Sequence, residues 1–145
     1  MTLEKEYPII LTQEVNWGDM DAFEHVNNTV YFRYFEDARI SYLENIGALE
    51  HMSRFNIGPI LANARCNFML PLDFPERIHI GVRGNIMSPK KLNMEFAVFS
   101  EKLNETVAEG EGLVVYYDYK EGKTCEIHAT VVAAIEALEA PQFTH

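Results

Sequence analysis

No stretch of this 145-residue chain approaches the roughly 18 consecutive apolar residues that a membrane-spanning helix needs. Basic residues are scarce: 12 Lys and Arg stand against 22 Asp and Glu, a formal net charge of −10 and a pI of about 4.9. Such a chain lacks the surplus cations with which general nucleic-acid binders neutralise phosphates, and an anionic bilayer surface repels it. Neither nucleic acid nor membrane is therefore expected as a partner. Only two cysteines occur, Cys66 and Cys125, without a CxxC or a Cys/His spacing. That argues against a zinc site or a disulfide framework and fits free thiols in a reducing cytoplasm. The N-terminal residues carry charge from Glu4 onward and form no apolar core of the kind a signal peptide needs. There is no P-loop, no GxGxxG and no metal-ligand spacing, and no internal repeat or low-complexity tract.

What is present is a 48% hydrophobic chain of single-domain length. Tyr7 to Trp17 alternates, with Tyr7, Ile9, Leu11, Val15 and Trp17 on one face, which predicts a half-buried strand. Asn27 and Asn28 are good N-cap residues. The run after them, TVYFRYFEDARISYLENIG, has helical spacing with Gly47 as the stop. Apolar and aromatic residues cover so much of its circumference that a helix buried on several sides is expected. A short helical turn over Ala48 to Phe55 follows. Further strands are predicted over Ile60–Leu70, Glu76–Ile86, Leu92–Val98 and Thr106–Tyr119, with a bulge or bend at Gly110 and Gly112. A short helix over Thr130–Glu139 closes the chain. Short connections imply antiparallel neighbours. The layout is α+β, a curled antiparallel sheet of about five strands wrapped around one long helix, in one domain over residues 1–145.

The polar residues concentrate between the first strand and the long helix, in WGDMDAFEHVNN, Trp17 to Asn28. One reading is architectural: Asp19 and Asp21 shape a turn, and the Asn pair caps the helix. The other is chemical. Unpaired N–H groups at the helix start near Asn28 can polarise a carbonyl and hold an oxyanion. A carboxylate from Asp21 beside them can attack that carbonyl or activate water. His25 can orient the water, bond the carboxylate or simply tie down the loop.

The run GDMDAFEHVNNTVYFRYFEDAR resembles the acyl-CoA thioesterases of the hotdog fold, in the 4-hydroxybenzoyl-CoA thioesterase-like group. The family pattern is D-x-D-x-x-G-H-V-N-N followed by an aromatic helix, and Asp19, Asp21, His25, Val26, Asn27, Asn28, Tyr31, Tyr34, Phe35, Glu36, Ala38 and Arg39 match it. The resemblance implies hydrolysis of an acyl-CoA thioester with Asp21 as nucleophile or general base. It implies that the N–H near Asn28 polarises the carbonyl, with His25 and Asn27 as lesser contributors. The aromatic residues of the helix read as core, and Tyr31, one turn from the helix start, is the exception expected to contact substrate. The only cofactor-like group expected is the coenzyme A of the substrate. It further implies a homodimer joined sheet edge to sheet edge, in some members paired into a tetramer. One position departs: Glu24 stands where the family has Gly, a residue that permits unusual backbone angles. An enoyl-thioester hydratase and a non-catalytic acyl-CoA-binding domain are the competing readings.

A polyanionic ligand needs local cations. Between Leu61 and Lys91, five basic residues (Arg65, Arg77, Arg83, Lys90 and Lys91) face only Asp73 and Glu76, a local net of +3 that leaves −13 for the rest. The turn Ser88-Pro89-Lys90-Lys91 is the candidate phosphate holder, by Lys charge and by Ser or backbone donors. If the five gather at one rim, the overall acidity is compatible with coenzyme A.

Overall fold

Apolar alternation makes strands whose inner faces must be covered, and one long helix is available to cover them. In the computed structural model, which describes residues 3–140, the elements run α1 (Leu3–Glu6), β1 (Ile9–Glu14), a 3-10 turn (Trp17–Asp19), α2 (Asn28–Asn45), α3 (Ala48–Phe55), β2 (Ile57–Phe68), β3 (Arg77–Ser88), β4 (Lys91–Ser100), β5 (Glu105–Asp118), β6 (Lys123–Thr124) and α4 (Ala129–Glu139). The sheet order is β1-β3-β4-β5-β2 with every pairing antiparallel, and β6 adds to β5. The two edges, β1 and β2, are therefore adjacent in sequence, and α2 with α3 carries the chain between them.

The core forms where α2 meets the middle strands. Ile78, Ile80 and Val82 of β3 and Leu92, Met94, Phe96 and Val98 of β4 are fully or almost fully buried. From the helix, Tyr31, Tyr34, Phe35, Ala38, Tyr42 and Leu43 reach the same core. Phe35 stacks on Phe96 with ring centroids 4.8 Å apart. Each such side chain contributes about 1.5–3 kcal/mol on burial. The helix is not surrounded, however. Phe32 and Ile40 remain 38% and 40% exposed, so the sheet covers one side of α2 only.

Four further expectations are corrected. Tyr7 does not share the face of Ile9 and Leu11. Pro8 intervenes, and Tyr7 packs with Leu3 and Ala97 in a small cluster apart from the main core that Ile9 and Leu11 join. The strand ends at Glu14 and Trp17 enters a 3-10 turn, 75% exposed. The pairing runs unbroken through Gly110 and Gly112; the irregularities fall instead between Leu61 and Asn63 of β2, between Ile86 and Ser88 of β3 and between Val98 and Phe99 of β4. Gly110 answers a different demand. A Cβ there would lie 2.4 Å from Phe35 Cε2 and 2.6 Å from the Arg65 carbonyl oxygen, so the glycine lets the helix ring press onto the sheet. Lastly, the apolar positions expected to turn inward on the Ile60–Leu70 strand are mostly open. Ile60, Ala62, Ala64, Phe68 and Leu70 are all exposed, because β2 is a sheet edge.

Candidate active site

The loop between the 3-10 turn and α2 is held by its own backbone. Met20 and Val26 form a single β-bridge. Inside it the Asp21 N–H donates to the His25 carbonyl (2.7 Å) and the Glu24 N–H to the Asp21 carbonyl (3.1 Å). The Asp21 carboxylate completes the turn. Its Oδ1 accepts the Phe23 N–H at 2.8 Å and the His25 N–H at 3.3 Å, an Asx-type arrangement. Closing so tight a loop requires a left-handed residue, and Glu24 supplies it at φ +63°. This explains the family glycine at that position: the backbone there favours a residue without Cβ, and Glu24 adopts the same geometry with its side chain exposed.

The loop is anchored at both ends. The Val26 N–H donates to the Leu72 carbonyl (2.8 Å) and the Asn27 N–H to the Asp19 carbonyl (2.9 Å). Asn27 is the N-cap of α2: its Oδ1 accepts from the Thr29 N–H at 3.0 Å and from the Thr29 hydroxyl at 2.9 Å. Its side-chain oxygen thus holds the helix start. Asn28 is the first residue of the helix and is exposed. Since the Thr29 N–H goes to the cap and the Val30 N–H to the Asn27 carbonyl, the Asn28 N–H is the first-turn donor left without an acceptor among the described residues. The two aspartates are also separated in role. Asp19 lies 3.9 Å from the Arg33 guanidinium and 3.5 Å from Asn16 Nδ2. Asp21 has no cation partner among the described residues, and its Oδ2 accepts no protein donor there.

A pocket of about 590 Å³ opens beside this loop, lined by Asp21, Glu24 and His25 together with Trp17, Phe23, Asp73 and Phe74. Trp17, Phe23 and Phe74 present apolar surface at its rim, at 75%, 81% and 44% exposure. Asp73 is tied to Lys102 at 2.7 Å. The structure thus brings Asp21 and His25 to one pocket. It does not bring Asn27, Asn28 or Tyr31 to that wall. Tyr31 is 3% exposed, edge-on to Phe68 at 5.0 Å and to Tyr34 at 5.9 Å, with its hydroxyl pKa pushed up to about 12 by burial. In the single chain it is a core residue. The aromatic rim carried no sequence signal, because an exposed Trp or Phe has no periodicity to betray it.

The five basic residues do not gather at one rim; Arg65 and Arg83 alone share a pocket, and Glu95, Glu109 and Glu111 line it with them. Antiparallel register sets each arginine opposite a glutamate: Arg65 pairs with Glu111 (2.8 Å), Arg77 with Glu14 (3.4 Å) and Arg83 with Glu95 (3.2 Å). The turn Ser88-Pro89-Lys90-Lys91 lies at the far end of the sheet. Arg77 begins β3 near the Asp21 loop and Ser88 ends it, so at about 3.3 Å per residue the two lie roughly 35 Å apart along the strand. Ser88 Oγ there accepts the Lys90 N–H (3.4 Å), and Lys90 Nζ reaches Thr124 Oγ1 (3.4 Å). Within one chain, Ser88, Pro89, Lys90 and Lys91 therefore cannot share a site with Asp21, and the charge argument for coenzyme A fails.

Comparison with known proteins converges on one group. Residues 15–135 match the family model described as the thioesterase-like superfamily. The chain is 26% identical over 130 residues to a putative esterase of Aquifex aeolicus (strain VF5), covering 89% of this chain and 98% of that protein. It is 24% identical over 119 residues to the long-chain acyl-CoA thioesterase FadM of Escherichia coli (strain K12), covering 82% of this chain and 90% of the other. Among solved structures, a thioesterase of Thermus thermophilus complexed with coenzyme A and Zn superposes with a TM-score of 0.80 at 26% identity, covering 92% and 95% of the two chains.

Proposed function

Because this chain belongs to the thioesterase-like superfamily, and so has the hotdog arrangement that its sequence resembles, we propose that it hydrolyses acyl-CoA thioesters at the Asp21 pocket. The observation that carries this reading is the state of Asp21. One carboxylate oxygen is fixed by two backbone N–H groups, the other has no protein donor among the described residues, and the side chain lines a pocket with an apolar rim. A fixed, uncommitted carboxylate is what attack on a thioester, or removal of a proton from water, requires. Overall, water adds across the C–S bond: the acyl carbon gains oxygen and leaves as a carboxylic acid, and sulfur takes a proton and leaves as the CoA thiol. The Asn28 N–H at the positive end of α2, which lies outside the pocket wall formed by one chain, is the donor that the resemblance assigns to the carbonyl, and the exposed ring of His25 orients the water in this scheme. Asn27 serves by holding the helix start. Hydrolysis is preferred to hydration of an enoyl thioester because the matching family model and the curated relative of known activity are thioesterases.

The substrate's polyanionic end finds no cluster of cations beside this pocket, whose lining includes Asp21, Glu24 and Asp73. A second copy of the chain, joined at the open β2 edge as a homodimer, supplies the missing wall in this scheme. The test is steady-state hydrolysis of a panel of short, long and aromatic CoA esters. The wild type is expected to release free thiol from at least one ester. Asp21→Asn is expected to lower kcat by about 10²–10⁴-fold. Equal rates in the two proteins would remove Asp21 from this role.

A further inference from the structure

The loop over residues 72–76 forms part of the wall of the Asp21 pocket. The Leu72 carbonyl accepts the Val26 N–H and so ties this loop to the start of α2, Asp73 and Phe74 line the pocket, and Glu76 stands just before β3. Glu76 is only 6% exposed, and no cation pairs with it among the described residues. Burying a carboxylate without a counter-charge is costly unless hydrogen bonds compensate. Here they come from one place, the turn between β4 and β5. The fully buried Ser100 hydroxyl donates to Glu76 Oε1, and the Lys102 N–H donates to the same oxygen at 3.3 Å. The Leu103 N–H closes the turn on Ser100 Oγ at 3.0 Å, and the Glu101 N–H adds a bond to the Arg77 carbonyl at 3.1 Å.

That turn presents Lys102 to the pocket wall. Glu76 holds its backbone, and Asp73 holds its ammonium, with Nζ 2.7 Å from Asp73 Oδ1. One short loop therefore grips Lys102 at both ends. An ammonium has three donors. Asp73 takes one of them and is the only acceptor among the described residues. The side chain is 43% exposed, so the other two donors are open to solvent beside the pocket. The pocket thus combines the Asp21 carboxylate, the apolar surface of Trp17, Phe23 and Phe74, and, on its Asp73 side, a fixed ammonium. A thioester carried on a phosphopantetheine arm has three parts to match: a reacting carbonyl, a neutral arm and a terminal phosphate.

We propose that Lys102 binds the phosphate that ends the phosphopantetheine arm of the substrate, with the arm lying across the aromatic rim. The placement of the reacting end rests on the hydrolytic reading above. Lysine binds phosphate as a compact point charge. Fixing Lys102 through Glu76 and Asp73 reduces the ordering cost that a loose surface lysine meets on binding. Asp73 and the phosphate share the one ammonium through different N–H groups. Coenzyme A and acyl carrier proteins bear the same arm, and comparing the two carriers tells them apart.

The experiment is steady-state hydrolysis of one acyl group carried on pantetheine, phosphopantetheine, coenzyme A and an acyl carrier protein, by the full-length wild type, Lys102→Gln and Lys102→Arg. Both variants keep the backbone bond to Glu76 and change only a half-exposed side chain, so the fold is kept. Loss of a hydrogen bond to a charged group weakens binding about tenfold. Lys102→Gln is therefore expected to raise KM about tenfold for the phosphate-bearing esters, while the KM of the pantetheine ester and every kcat stay unchanged. Lys102→Arg is expected to restore the KM. An equal rise for the pantetheine ester, or no rise for any ester, overturns the proposal. The carrier with the lower KM in the wild type is the source of the arm. Calorimetric titration with coenzyme A, which has no ester to cleave, reads the same contact without turnover: Kd is expected to rise about tenfold in Lys102→Gln, and no saturable binding to the wild type overturns the proposal. Lys102-dependent binding of coenzyme A without cleavage of any ester leaves the Lys102 contact standing and removes the hydrolase reading. Ester hydrolysis with the same KM in wild type and Lys102→Gln does the reverse.

Discussion

Glu24 joins backbone geometry to site chemistry in a single residue. Its φ of +63° is imposed by the loop that turns Asp21 toward the pocket, and the glutamate Cβ is strained there. A left-handed conformation costs a non-glycine residue roughly 1–2 kcal/mol, and glycine returns part of that in unfolded-state entropy. Glu24→Gly is therefore expected to raise stability by about 0.5–1 kcal/mol in urea unfolding while keeping the two backbone bonds to Asp21 Oδ1. A loss of stability would show that the exposed carboxylate contributes more than the strain costs. Asp19 and Asp21 make the same point. They are two residues apart and alike in sequence, yet one faces Arg33 and the other has no cation partner among the described residues. The side chain that looks chemically available is the one whose neighbours are backbone.

At the scale of elements, the contact between α2 and the sheet is set by where side chains are missing. Gly110 lets Phe35 lie against β5 and stack on Phe96. Gly110→Ala puts a methyl within 2.4 Å of the Phe35 ring and 2.6 Å of a backbone oxygen. The backbone atom cannot rotate away, so the substitution is expected to cost about 1–3 kcal/mol, read as a lowered urea midpoint with an unchanged slope. An unchanged midpoint would mean that α2 shifts freely on the sheet. Because α2 also carries Asn27 and Asn28, weakened packing at its middle is transmitted to the helix start beside the Asp21 loop. Helix limits were legible here: Asn27 as cap and Gly47 in the left-handed conformation after Ile46 both stand where the residue types implied. The strand bulges were not, because a register shift depends on both partners and leaves no mark on either strand alone.

For the whole molecule, the decisive feature is the unpaired β2 edge. It exposes a row of backbone groups with Ile60, Leu61 and Phe68, and Met69 and Leu70 continue the apolar surface beyond it. Long exposed apolar edges template strand addition unless something covers them. A homodimer through this edge is expected by sedimentation at micromolar concentration. Leu61→Lys together with Ala64→Pro, on the same strand, is expected to shift the protein toward monomer and to lower ester turnover in parallel. A fully active monomer would refute the dimeric reading of the site. The charges follow the same logic of scale. The middle of the chain is +3 as a count, but cross-strand glutamates meet its three arginines one by one.

The sequence by itself determined the α+β class, the single long helix and its cap, the inward faces of β3 and β4, and the loop that holds Asp21. These depend on nearest neighbours and on periods of 2 and 3.6, which are written along the chain. Only the tertiary structure decided that Tyr31 is core, that the five basic residues share no single rim, that Ser88 to Lys91 stand at the far end from Asp21, and that Phe55, His51 and His128 pack into one ring cluster. His51 and His128 are 77 positions apart in sequence, and nothing local marks residues that meet only when sheet and helices have packed. Proximity of this kind is a property of topology and register, and neither can be read from one strand or one helix alone.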